Sequence, residues 1–269
     1  MSLMRINHVR NEITKLEAVI SNLTKNYHVN FKEYDSQLQG VEGFFNEKMK
    51  EAQNSQNWDT LYDINTKKSI YTQPLKHLES LAKFQNELML VKHTALIENM
   101  IVKIFWCLTC LLKKEEYKNK YFIEINNFSD SFEAASKISE LTDGTINLKK
   151  TKFWYLYETL KTIRNSIAHG DPLFEMSYRR AMKFNAEIDI IYLSSEKNRC
   201  EHTKDIYPSL LHPTKEKKSI WFCCLKSDLS GLNKLNSRCL IFVEEVRNIY
   251  LEYGAQNGFS THQLYGCRP

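Results

Sequence analysis

Apolar residues recur along most of this chain every three or four positions, the period of a helix with one buried face. Residues 3–27 carry Ile6, Val9, Ile13, Leu16, Val19, Ile20 and Leu23 at that spacing and predict a helix. Residues 31–53 predict a second helix, weakened by Gly40 and Gly43. The polar run Asn54–Thr60 predicts a loop, with Asp59 as the N-cap of the next helix. Pro74 suits a first helical turn and predicts the start of the longest helix, reaching about Lys114. In it Leu75, Leu78, Leu81, Leu88, Val91, Ala95, Leu96, Met100 and Ile101 keep the period. Beyond Ala95 the segment is apolar nearly all round, which predicts burial in a core or a subunit interface.

A charged exit, "LKKEEYKNKYF", comes next, and then a short helix over Ser129–Leu141 with Ser129 or Asp130 as its cap. The next stripe is Phe153, Leu156, Tyr157, Leu160, Ile163 and Ile167, again at helical spacing. Gly170 falls where a left-handed C-cap would sit, and Pro172 forbids continuation. Met176–Ala186 predicts a further helix. "AEIDIIYLSSE" and "SIWFCCLKS" have strand-like content and predict a small hairpin or edge feature. Asn198–Lys218 is polar and loop-like. Leu232–Tyr253 predicts a last helix, and 256–269 a flexible tail. The expected fold class is therefore all-α: one domain over 1–255, an antiparallel helical bundle with a small β feature inserted before its last helix.

Composition narrows the class. Eight Gly and five Pro in 269 residues are few, which favours long helices over a many-turned β fold. Lys and Arg exceed Asp and Glu by five, a mild basic excess compatible with an RNA or phosphate partner. The seven Cys form no regular framework, and Met1–Arg10 has no apolar leader region, so reduced thiols and a cytoplasmic setting are expected. The most apolar run, Met100–Leu112, contains Lys103 and falls short of the roughly 20 residues a membrane span needs. No membrane association is expected.

The chemistry gathers at "TIRNSIAHGDP". Arg164 and His169 stand at the end of a helix, with Asn165 beside the Arg. His transfers protons near neutrality. Arg keeps its charge and holds phosphate oxygens in a planar fork. Together they supply what RNA cleavage without a metal requires: proton transfer at the 2′-OH and the leaving 5′-oxygen, and a cation for the charge on the phosphate. Asn165 and His169 are i and i+4 and share a face, whereas Arg164 and His169 lie roughly 140° apart. They can meet only if the helix end unwinds, or across a dimer. The bland alternative is a helix end whose Arg and His favour the negative end of the dipole.

In "RNSIAH", an Arg-Asn-x-x-x-His pattern, the sequence resembles the HEPN superfamily, small all-α proteins whose ribonuclease members carry Arg-x(4–6)-His near a helix end. The resemblance covers roughly 74–170 plus 232–253. It implies a metal-independent endoribonuclease with Arg164 and His169 catalytic and Asn165 supporting. It also implies a homodimer that places two motifs in one cleft, and a toxin or antiphage-defence role with RNA as substrate and an antitoxin or regulatory protein as a further partner. The alternative is a catalytically inactive helical module that binds RNA, a nucleotide or a protein.

Glu98 lies in the most apolar half of the long helix, and a carboxylate there needs a partner. Neither i±4 neighbour, Thr94 or Val102, is cationic, so Arg164 or His169 is the expected partner and Glu98 a supporting residue; a helix edge exposed to water is the alternative. HEPN relatives often carry an acidic residue on this helix. Lys149, Lys150, Lys152 and Lys161 lead into the motif helix, and Lys152 and Lys161 are the candidate RNA contacts; a solvated face is the alternative. Cys107 and Cys110 form a C-x-x-C better suited to core packing than to a metal. Cys200 and His202 with Cys223 and Cys224 have poor zinc spacing. No metal and no cofactor are expected.

Overall fold

The computed structural model describes residues 2–113, 130–171, 173–196 and 220–265. Two long helices dominate it, α1 (Ser2–Asn54) and α2 (Trp58–Lys113), joined by a three-residue turn into an αα-hairpin. α1 is continuous where a break was expected near residue 28: "HVN" contains no Gly or Pro to stop it, and the apolar face toward α2 carries on. α2 begins sixteen residues before Pro74, which therefore lies inside the helix rather than opening it. The proline removes the N–H that would bond the carbonyl of Ile70, an exposed residue. The cap is Asn57, whose side chain accepts from the Thr60 N–H at 3.1 Å, and Asp59 sits in the first turn.

The hairpin has two parts. In the body, Leu3, Ile6, Val9, Ile13 and Ile20 of α1 and Leu90, Ile97, Met100, Ile101, Ile104 and Leu108 of α2 join one large core. In the arm, roughly residues 36–76, the described contacts of α1 and α2 are with each other. A second, small core of Phe45, Ala52 and Ile64 holds them, with Val41, Met49 and Leu61 around it. By length and composition α2 passes for a membrane-crossing helix, yet one face of its most apolar stretch, with Ile97, Met100, Ile101, Ile104 and Leu108, lies in the core of the body.

Three helices complete the body. α3 (Ser131–Leu141) is capped by Asp130, which accepts from the Phe132 N–H at 2.9 Å. A 3₁₀ turn over Leu148–Lys150 leads to α4 (Trp154–Ala168), the motif helix. Its predicted stripe is buried from Phe153 through Ile163, and Ile167 is partly buried. The third, the long helix Leu232–Gln256, closes the core.

Between α4 and that long helix lies a three-stranded antiparallel sheet of order β1-β3-β2, with β1 (Phe174–Ser177), β2 (Ile191–Glu196) and β3 (Ile220–Leu225). The expected hairpin supplies β2 and β3. β1 carries little sequence signal because it is four residues long and runs straight into α5 (Tyr178–Ile188). The strand-like "AEIDII" begins as the end of α5, and Asp189 in the left-handed region turns the chain into β2. The chain is thus mostly helical with a small sheet, and all-α describes its layers.

The long helix, α6 (Leu232–Gln256), packs along α1: Arg247 Nε donates to Asn7 Oδ1 at 3.2 Å, and Arg10 pairs with Glu244. The expected tail is docked as far as Tyr265. After Gly258 turns the chain, α7 (Thr261–Tyr265) buries Leu264 against Gly254, where a Cβ would collide with Leu264 Cδ1. The charged exit 114–122, Ser129, Pro172 and the loop 198–218 lie outside the described residues.

Candidate active site

Leu160 and Ile163, both fully buried, pin α4 onto the body core. That anchoring carries the next position, Arg164, to Glu98 of α2. Arg164 Nη2 donates to Glu98 Oε1 at 2.6 Å. Lys161, one turn earlier on α4, places Nζ 3.6 Å from the same oxygen. It also donates to Asp130 Oδ1 at 2.7 Å and Ser131 Oγ at 3.0 Å, and lies over the Phe132 ring at 4.3 Å. Ser131 in turn hydrogen-bonds the hydroxyl of Tyr157, which is fully buried. The result is a continuous polar chain from Tyr157 through Ser131, Lys161 and Glu98 to Arg164, tying α2, α3 and α4 together.

Electrostatics follow from those contacts. Burial alone would raise the Asp130 carboxyl. The Lys161 hydrogen bond, the Phe132 N–H and the Lys161 charge outweigh it and hold the group below its usual range. Burial pushes the Tyr157 phenol well above its ordinary value, so it is a neutral hydrogen-bonding group. Two cations, Lys161 and Arg164, face two carboxylates, Glu98 and Asp130, so the network is formally neutral. One group in it lacks a partner: Arg164 Nε is buried with no acceptor. A buried unpaired donor costs about 1–3 kcal/mol, and an incoming phosphate oxygen is the kind of acceptor that would relieve it.

His169 sits on another side of α4. The helix is regular through Ala168 and ends with His169 as C-cap. Gly170, at φ +76°, donates to Ile167 O at 3.0 Å, and the Asp171 N–H donates to Ser166 O at 2.9 Å. These paired bonds are the Schellman arrangement. The last turn does not unwind, so the five-residue offset keeps Arg164 and His169 roughly 140° apart. His169 and Asn165 are both exposed, and among the described residues neither side chain makes a hydrogen bond.

The sequence-derived residues therefore divide. Glu98 and Arg164 are brought together; His169 and Asn165 share a separate, solvent-facing side. Lys161, expected as an RNA contact, has a side chain that is 12% exposed and engaged with Asp130, Ser131 and Glu98. Lys152 is exposed, with Nζ 5.3 Å from the Phe153 ring centroid and its backbone N–H bonded to Glu245. Asp130, Ser131 and Tyr157 were missed as site-building groups. Asp130 is one of the two caps the sequence offers for this helix, but only tertiary packing sets it beside Lys161.

Cys107 is buried in the α2 core, and Cys223 is buried in β3. Cys200 and His202 fall outside the described residues. Among the described residues no three His, Cys, Asp or Glu side chains cluster in a metal-holding group. No family model, curated protein or solved structure matches the chain.

Proposed function

We propose that this chain is a metal-independent endoribonuclease of the HEPN type. The observation that carries the reading is the 2.6 Å Arg164–Glu98 bond: it fixes the motif arginine at the end of α4, little more than one turn from an exposed His169. In this reaction the RNA 2′-OH loses a proton to a base and its oxygen attacks the adjacent phosphorus. The P–O5′ bond breaks, and the 5′-oxygen gains a proton. The products are a 2′,3′-cyclic phosphate and a 5′-hydroxyl. His169 serves the proton transfers and Arg164 the phosphate charge. Glu98 and Lys161 are positioning residues for Arg164. Because one chain holds Arg164 and His169 on different sides of α4, a complete site takes them from two copies in a homodimer. A cytoplasmic toxin or antiphage effector, held in check by a protein partner, is the biological role that fits such an activity.

The test is incubation of purified protein with total RNA in excess EDTA. Cleavage leaving cyclic phosphate ends is expected, and His169→Ala or Arg164→Ala should each slow it by roughly 100- to 10,000-fold. Glu98→Gln should lower kcat with RNA affinity retained. Intact RNA at every salt concentration, or a His169→Ala variant as fast as the parent, overturns the proposal. A second reading, a non-catalytic helical module, is favoured by the neutral Glu98–Asp130–Lys161–Arg164 network, which leaves little uncompensated charge for a phosphate. RNA bound but never cut would select it.

A further inference from the structure

A mostly apolar stripe lies away from the motif, on one face of α2. Ile70, Pro74, His77, Leu81, Phe84, Leu88, Val91 and Ala95 succeed one another at alternating steps of four and three. Ile70 is 62% exposed, Leu81 50%, Phe84 59% and Leu88 52%. The face α2 turns toward α1 is a different one, marked by the buried Leu78, Ala82 and Met89. A sustained 4-3 alternation has a period of 3.5, which matches the seam of a second helix rather than a flat surface. Here the stripe spans about 37 Å at 1.5 Å per residue.

We propose that a second copy of this chain covers this stripe, with the two α2 helices running parallel from Ile70 to Ala95. The charges beside the stripe choose both the partner and its direction. Put Leu81 and Leu88 at the first heptad position; Glu87 then precedes the seam on one side and Lys92 flanks it on the other. In a parallel pair these two positions, five residues apart, face each other across the interface. Glu87 then meets the Lys92 of the second copy, and two-fold symmetry makes the contact twice. An antiparallel pair would set like positions together, Glu87 against Gln73, Ser80 or another Glu87, and no ion pair would form. Among the described residues Glu87 has no hydrogen bond or ion pair within its own chain, and Lys92 has no ion pair, although its charge is felt by the Glu12 carboxylate of α1 and helps to hold that group's pKa down.

The seam ends near Ala95 because the chain covers the continuing face itself. The same alternation next reaches Glu98, held by Arg164, then Val102, packed against the core, and Phe105, which is buried. Past that point the two α2 helices must part around their bodies. A parallel pair also keeps both bodies at one end of the dimer. The pairing of the arms does not depend on whether the Arg164 site cuts RNA, and sedimentation reads no cleavage step.

The test is sedimentation equilibrium of the full chain at micromolar concentration. A dimer is expected, and Leu81→Glu with Leu88→Glu should convert it to a monomer with unchanged far-UV circular dichroism. Glu87→Lys and Lys92→Glu should each weaken the dimer about tenfold, by replacing two attractive pairs with two repulsive ones, and the double swap should restore it. Leu81→Cys should cross-link to its own counterpart on oxidation, as read by intact mass. A monomeric parent, or a dimer indifferent to Leu81 and Leu88, overturns the surface. Single charge reversals that the double swap fails to rescue overturn the parallel register. The charge variants keep the test decisive if the leucine pair misfolds, since both positions flank the seam.

Discussion

α2 passes through two environments with the same kind of sequence. In the body, Ile97, Met100, Ile101 and Leu108 are fully buried, because α1, α3, α4 and α6 surround the helix. In the arm the helix has α1 alone, and the local core is Phe45, Ala52 and Ile64. Helical periodicity is present in both, so it does not decide burial. The number of layers around the helix decides it. A two-helix arm buries one face of each helix and leaves the others to water or to a partner. The body should therefore be the main cooperative unit, with the arm opening at lower free energy.

Truncation of matched isoleucines tests this most strongly. Ile104→Ala in the body should cost about 2–5 kcal/mol of global stability, from lost burial plus a cavity. Ile64→Ala should cost the global transition less than about 1 kcal/mol and instead speed amide exchange across residues 41–68. Urea melts followed by hydrogen exchange separate the two. Equal global costs would show that arm and body melt as one.

The same layering explains what the sequence could and could not convey. The stripes of α1, α4 and α6 were legible because each buries one periodic face. The C-cap at Gly170 was legible because its chemistry is local. Pro74 misled because an exposed helix tolerates a proline whose lost bond faces water. At the site, Glu98 signalled its need for a cation by lacking one at i±4. The fate of Lys161 was not legible, since only the packing of α3 against α4 brings Asp130 to it. The exposed heptad stripe reads as ordinary helix period, for pattern alone does not say whose side chains cover a face.

A smaller effect resides in the body alone. His93 of α2 is fully buried, with Nδ1 2.7 Å from Met89 O and Nε2 2.8 Å from Asn236 on α6. Burial pushes its pKa below the ordinary 6.5, and the two hydrogen bonds only partly offset this. Both partners, Met89 O and Asn236 Oδ1, are acceptors, so a neutral ring can donate to only one of them and a protonated ring to both. The unfolded chain binds this proton more readily than the folded one. The stabilising contribution is therefore complete above about pH 6.5 and is lost as pH falls below it, by at most about 1.4 kcal/mol per pH unit. Body stability measured at about pH 7.5 and about pH 5.5 should fall accordingly, and His93→Gln should flatten that difference. A profile that His93→Gln leaves unchanged would assign the pH dependence to other groups.

The finest distinction between the two regions is a single substitution with opposite signs. Gly170, in the body, has φ +76° and open space where a Cβ would sit, so an alanine there meets no neighbour and suffers only backbone strain. Gly170→Ala should destabilise the C-cap of α4 by about 1 kcal/mol. Gly40 and Gly43, in the arm, lie in the right-handed interior of α1, also with nothing within 4 Å. Alanine there costs no contact, restricts the unfolded chain and should stabilise each position by about 0.4–1 kcal/mol. The readouts differ because the regions do. Gly170→Ala should lower the global melting temperature, whereas Gly40→Ala and Gly43→Ala should slow amide exchange near residues 36–47 and barely move the global transition. If the arm substitutions raised the melting temperature as much as Gly170→Ala lowers it, the arm would belong to the same cooperative unit as the body, and its thin core would have to be supported by the partner helix along Ile70–Ala95.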